Sequence, residues 1–297
     1  MKVSILTATY NRAEMLKKLY ESLKKNLKYK INVEWIIVDD GSTDKTKSVV
    51  AEFIEENKIL IKYCYQKNQG KMVAINEAVK LATGELIMDC DSDDYLTEDA
   101  LEILSNTAKE LEKNPNLYGL CFLKKEDNGQ ISGNKFKMNN LPTTMFDLYF
   151  KDDIQGEKVL VFNAQIRKKY MHQLENGEKF VTEARMYHKM DEKYKILCIN
   201  EALQVGSYRE DGYTKNIKKT FMESPFGYYK YFREILQKDM KGVLFNKRMY
   251  VIKHYILFGV LTGKKFDSKI INNISNKILY TCLYLPGKIK SEKFKNS

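Results

Sequence analysis

The sequence predicts an α/β chain with a mostly parallel central sheet, followed by a helical C-terminal region. Apolar runs of strand length alternate with segments of helical periodicity from Val3 to Leu123. Three of those runs end in turns rich in Asp, Asn, Ser and Thr, at Ala8–Asn11, Asp39–Ser42 and Asp89–Asp94. From about residue 215 onward the pattern turns helical and rich in Tyr, Phe and Lys.

Val3 to Thr7 reads as the first strand, and Ala13 to Leu27 as a helix with Leu16, Leu19, Leu23 and Leu27 on one face. Glu34 to Val38 is a second strand. Thr43 to Glu56 is a helix, with Val49, Val50, Phe53 and Ile54 apolar. Ile59 to Tyr65, Met72 to Ala82 and Glu85 to Asp89 continue as strand, helix and strand. Thr97 is placed to cap a helix over 98–112, with Glu98 and Asp99 favouring its N-terminal end. Tyr118 to Leu123 is a fifth strand. This alternation implies right-handed crossovers, and in such a sheet ligands sit beyond the carboxyl ends of the strands. Beyond a hairpin turn at Glu126–Gln130, strands at Lys158–Phe162 and Tyr194–Ile199 mix with helices.

A chain of 297 residues can bury one large core, or one core plus a smaller unit. Its 43% hydrophobic and 30% charged content fits a folded protein, and 4 prolines leave no room for long linkers. The five cysteines are scattered, with no CxxC pair, so neither structural zinc nor a disulfide framework is expected. The start lacks a signal peptide's apolar run, and the longest apolar stretch, Tyr250–Gly263, is too short to span a bilayer. A reducing cytoplasm is the expected compartment. A net charge of +11 needs a cause in nucleic acid, an anionic membrane or a phosphorylated substrate.

Asp89, Asp91, Asp93 and Asp94 put four carboxylates in six residues at the end of a buried strand. Crowded like charges favour a hard divalent cation, although alone such a cluster reads more readily as a solvated turn. Asp39–Asp40–Gly41–Ser42 offers a carboxylate to a base ring N–H, and Tyr10 a ring to stack on a base.

Thr9–Tyr10–Asn11, Asp39–Asp40–Gly41–Ser42, Asn68–Gln69–Gly70–Lys71 with Ala74 and Asn76, Gly84–Glu85 and Asp91–Ser92–Asp93–Asp94 follow in one order. Over residues 3 to about 105 this resembles the family 2 inverting glycosyltransferases of the GT-A fold, among them bacterial surface-polysaccharide transferases. The resemblance implies that Thr9, Tyr10 and Asp40 hold the nucleobase and ribose of a UDP-sugar. Lys71 and Asn76 would close the donor pocket. Asp91, Ser92 and Asp93 match the family's DxD, and Mn2+ or Mg2+ would be held among Asp91, Asp93 and Asp94. Ala8 stands where the family often has Pro. The implied division is a GT-A domain over 1–215, with a donor half to about 125 and an acceptor half from 126, and helices over 216–297.

Gly177 to Arg185 resembles the segment where the family carries its catalytic carboxylate, which makes Glu183 the expected base. Ala184 replaces a frequent second acid. Glu178 is a rival base, and pairing of Glu183 with Arg185 or Lys189 on a helix surface is the plainer alternative. Tyr208–Asn216 resembles a following loop in which Arg209 or Lys215 would neutralise the leaving diphosphate, an exposed basic turn being as good a reading. Neither a P-loop nor a GxGxxG turn is present.

The expected activity is transfer of a sugar to a hydroxyl of a surface glycan or lipid-linked oligosaccharide. Two rivals are a membrane-docked nucleotide-sugar-binding protein without turnover, and a nucleotidyltransferase, which would normally show a Gly-rich phosphate loop. The aromatic and lysine-rich residues 216–297 suit peripheral contact with an anionic membrane at the inner face, or simple packing on the first domain. No nucleic-acid partner is expected.

Overall fold

The computed structural model describes residues 1–29, 31–137, 139–175, 177–206, 217–264, 267, 270–271 and 274–295. The first half runs β1 (Lys2–Thr9), α1 (Ala13–Asn26), β2 (Asn32–Asp39), α2 (Thr46–Glu56), β3 (Leu60–Tyr65), α3 (Lys71–Leu81) and β4 (Leu86–Asp89). Next come β5 (Tyr95–Leu96), α4 (Ala100–Thr107), α5 (Lys109–Lys113) and β6 (Leu117–Lys125). The second half runs β7 (Pro142–Thr143), α6 (Met145–Phe150), β8 (Lys158–Asn163), α7 (Ala164–Arg167), α8 (Ala184–Met190) and β9 (Lys195–Val205). Helices α9 (Ile217–Glu223), α10 (Pro225–Leu236), α11 (Phe245–Thr262) and α12 (Ile274–Lys295) complete the chain.

One sheet carries all the strands, in the order β3-β2-β1-β4-β8-β6-β9-β5, with β7 on β9. The pairs β1–β2, β1–β4 and β2–β3 are parallel, as strand–helix alternation requires. The sequence left β4 and β6 as consecutive strands, but β8 enters between them antiparallel to both. Side chains alternate across β1 and β2: Val3, Ile5, Trp35 and Ile37 pack under α1 and α2, while Leu6, Ile36 and Val38 pack under α3. The result is a sheet covered by helices on both faces, as the GT-A resemblance implies.

Two helix starts differ from expectation. The helix after β2 begins at Thr46, because the Asp44 carboxylate accepts from the Thr46 N–H (2.9 Å) and from its hydroxyl (2.6 Å). Thr97 does not cap α4. Its hydroxyl donates to the Ala202 carbonyl, and the helix starts at Ala100.

The base of the sheet is tied by Glu34, a fully buried carboxylate. It meets Lys2 (2.8 Å) and Lys62 (3.0 Å), and accepts from the Thr83 N–H at 2.6 Å. Gly84 belongs to this knot: a Cβ there would stand 2.7 Å from the Ser4 nitrogen.

A third apolar cluster joins Phe146 and Phe150 of α6 to Phe232, Ile235, Val251, Ile252 and Phe258 of the C-terminal helices. Arg185 of α8 reinforces the join by pairing with Glu175 (2.9 Å) and with Glu234 of α10 (2.8 Å). No helix among the described residues is long and apolar enough to cross a membrane.

Candidate active site

The carboxyl ends of β1, β2 and β4 open into one cleft of about 1070 Å³. At the end of β1, Thr9 is buried and its hydroxyl has no partner, while Tyr10 is half exposed at the rim. Asn11 adopts φ 53°, and its side-chain carbonyl accepts from the Thr43 N–H (2.8 Å). Its own N–H donates to the Ser42 hydroxyl (2.8 Å), locking the first two strand-end turns together.

The Asp40 carboxylate accepts from the Gln66 amide (2.6 Å) and from the backbone N–H groups of Gln69 and Gly70 (both 2.8 Å). An ionised carboxylate has about four acceptor sites, so one is left over for a base. Asp40 thus first of all fixes the turn that starts α3. That turn needs glycine at position 70, where φ is 99° and a Cβ would run into the Lys179 carbonyl.

From the first turn of α3, the Lys71 ammonium reaches Asp91 at 2.7 Å and Glu183 at 3.3 Å. Burial alone would lower Lys71, but the two carboxylates outweigh it and hold the ammonium charged well above its ordinary value. Burial likewise would raise Glu183, yet Lys71 and the Tyr187 hydroxyl, which donates at 2.9 Å, bring it down to about 2. Glu183 is therefore a carboxylate facing the cleft. The helix-surface alternative fails, because Arg185 is committed to Glu175 and Glu234, and Lys189 donates to the Gln173 side chain.

Ser92 is buried and Asp93 half-buried; both line the cleft beside Asp91. Three expectations change. Asp94 is buried in an ion pair with Lys124 at 2.7 Å, and Lys124 also meets Glu157 (2.6 Å), whereas the Asp91 side chain, though paired with Lys71, is 44% exposed. Asn76 does not line the cleft. Its amide donates to the His172 carbonyl and accepts from the His172 N–H, both at 2.9 Å, which pins the segment leading to Glu183. Glu178 accepts from the Phe226 and Gly227 N–H groups (2.6 and 2.7 Å), so it caps α10. Arg209 and Lys215 lie outside the described residues.

Three further groups complete the site. Tyr187 orients Glu183 from one helical turn away, a spacing of four that was visible in the sequence. Asp89 lines the cleft with one carboxylate oxygen buried and unpartnered, and burial, opposed by Arg167, pushes it up to about 6. Lys124, a buried lysine one residue before the end of β6, gives no sequence signal beyond its place after an apolar run. Thr220 and Glu223 of α9 supply part of the far wall, so the C-terminal helices share in the cleft.

The Asp91–Ser92–Asp93 turn after the parallel strands thus faces, across Lys71, the Glu183 carboxylate at the start of α8, an arrangement in keeping with the GT-A fold. Residues 4–174 match the family described as Glycosyl transferase family 2, and the chain belongs to that family of glycosyltransferases. It is 27% identical over 295 residues to the GalNAc(5)-diNAcBac-PP-undecaprenol beta-1,3-glucosyltransferase of Campylobacter jejuni, covering 97% of this chain and 89% of that protein. It is 32% identical over 112 residues to an uncharacterized glycosyltransferase of Mycoplasma genitalium, covering 37% of this chain. The matched region spans only 38% of the length of that protein and 36% of its Mycoplasma pneumoniae homolog.

Among solved structures, TarS 1–349 of S. aureus in complex with UDP-GlcNAc superposes with a TM-score of 0.59 at 21% identity, covering 99% of this chain and 83% of that one. The mannosyltransferase PcManGT of Pyrobaculum calidifontis, in complex with GDP-Man and Mn2+, gives 0.56 at 15%, covering 99% and 84%. These two likenesses establish the fold.

Proposed function

We propose that this glycosyltransferase moves a sugar from a UDP-linked donor to a hydroxyl of a surface glycan or lipid-linked oligosaccharide, inverting the anomeric centre. One observation carries the reading: a single ammonium, that of Lys71, lies between the first aspartate of the DxD and Glu183. Donor site and base are thereby adjacent. The names of the relatives support the substrate class, since one acts on an undecaprenyl-diphosphate-linked glycan and a structural neighbour is a UDP-GlcNAc complex.

In this reading Tyr10 stacks on the uracil, the free hydroxyl of Thr9 and the remaining acceptor site of Asp40 bond the nucleoside, and Lys71 turns to the diphosphate. The donor set also fits a hard cation. Asp91 and Asp93 offer two carboxylates lining the cleft. Such a set suits magnesium or manganese, which commonly take one or two carboxylates plus substrate phosphates. When bound, the cation supplies Lewis acidity to the departing diphosphate. Glu183, held by Tyr187, removes the proton of the acceptor hydroxyl as it attacks from the face opposite the nucleotide.

A nucleotide-sugar panel assayed for released UDP with manganese tests this. We expect turnover with one or more UDP-sugars, abolished in Asp93→Ala. Glu183→Gln should bind donor and fail to transfer. Unchanged turnover in Glu183→Gln would move the base elsewhere.

A further inference from the structure

Helix α12 is apolar on its outer side as well as on the side that packs, where Leu279, Tyr280, Leu283 and Phe294 meet the third apolar cluster. Its packed face carries Asn276, Tyr280, Gly287 and Ser291, of which Asn276 and Ser291 are 1% and 4% exposed and Gly287 sits against Ile256. The opposite face carries Ile278, Cys282, Leu285 and Ile289; the two Ile and the Leu are 62%, 58% and 67% exposed, and the Cys282 thiol is exposed and free. At about 100° per residue these four side chains fall within roughly 60° of one another, about half a turn from the packed face. Lys277 and Lys288 run along one flank of that stripe and Lys290 and Lys293 along the other, all exposed, with Glu292 the one acid of the helix.

We propose that this stripe is a docking surface for an anionic lipid bilayer, with α12 lying in the plane of the interface. The helix cannot cross the membrane. An apolar band flanked by lysines instead has the chemistry of a helix at the headgroup boundary, where lysine stems lie along the apolar surface and their ammoniums reach lipid phosphates. The charge selects this occupant. A second copy laid on the same stripe would set rows of lysine against rows of lysine, whereas an acidic leaflet complements them. The proposal is independent of the transfer chemistry, because none of these residues lines the cleft.

Full-length protein is sedimented with phosphatidylcholine vesicles and with vesicles that also contain phosphatidylglycerol. We expect pelleting with the second kind only, reversed by high salt. Leu285→Glu with Ile289→Glu should abolish it without lowering Tm. Replacing Lys288, Lys290 and Lys293 with Gln should weaken it about a hundredfold, at roughly fivefold per lysine. A polarity-sensitive fluorophore on Cys282, in a Cys64→Ser background, should shift to the blue on the anionic vesicles. Wild-type protein that stays in the supernatant, a double-Glu variant that still pellets, or a label that does not respond would each overturn the proposal. So would a lipid-free dimer, seen by light scattering, that Leu285→Glu splits.

Discussion

Lys71 sets the electrostatics of the cleft, since the same ammonium neutralises Asp91 and holds Glu183 down to about 2. The pH dependence of kcat/KM reports groups of the free enzyme. In the wild type, Glu183 should therefore impose no acid limb above about pH 2. In Lys71→Met the lysine's two contributions are lost while Tyr187 and His172 remain, and the limb should move to higher pH; a limb that does not move would remove Lys71 from this role. Glu34 gives a second test, on stability. Burial would raise it, but Lys2, Ser4, the Thr83 N–H and Lys62 bring it far below its ordinary 4.5. Its contribution is thus fully present above the unfolded value and is lost as pH falls below about 4.5 toward the folded value. Glu34→Gln should cost about 2 kcal/mol at neutral pH, seen as a Tm several degrees lower, with the gap closing in acid. Sequence reading shows Glu34 only as the first residue of a strand, because its partners come from residues 2, 62 and 83. Glu183 was legible through its motif, whereas the lysine that tunes it was legible only as a pocket residue.

At the scale of elements, the turn into α3 links the strand-end turns to the segment that carries Glu183, since Asp40 holds its N–H groups and Lys179 covers Gly70. Gly70→Ala would force a β-carbon into that carbonyl at a positive φ. It should cost about 1–3 kcal/mol and depress transfer by displacing the segment that carries Glu183, which a Tm and a kcat measurement would register together. Glu178 sits on the same segment but caps α10. Glu178→Gln keeps one of the two acceptor oxygens of that cap and turns an NH2 toward the other N–H, so it should lower Tm yet retain transfer while Glu183→Gln loses it; equal losses of transfer would contradict the assignment of the base. Helix starts were the least legible feature. Thr43 and Thr97 both have the right chemistry for a cap, but Asp44 captures one helix start and the Ala202 carbonyl takes the other hydroxyl. Local spacing does not encode that competition.

At the scale of the whole molecule, the parallel order of the first four long strands follows from their alternation with helices, because each crossover must return to the same edge direction. The insertion of β8 between β4 and β6 does not follow, since an apolar run declares a strand without naming its neighbours. For the same reason the C-terminal helices read as a separate unit, yet α9 walls the cleft and Arg185 ties α8 to α10. We propose that a divalent cation on Asp91 and Asp93 is what lets this cleft hold a nucleoside diphosphate. Calorimetric titration of UDP with and without manganese tests it on three proteins. We expect manganese-dependent binding in the wild type and in Glu183→Gln, and none in Asp93→Ala. Equal affinity with and without manganese, unchanged in Asp93→Ala, would contradict it.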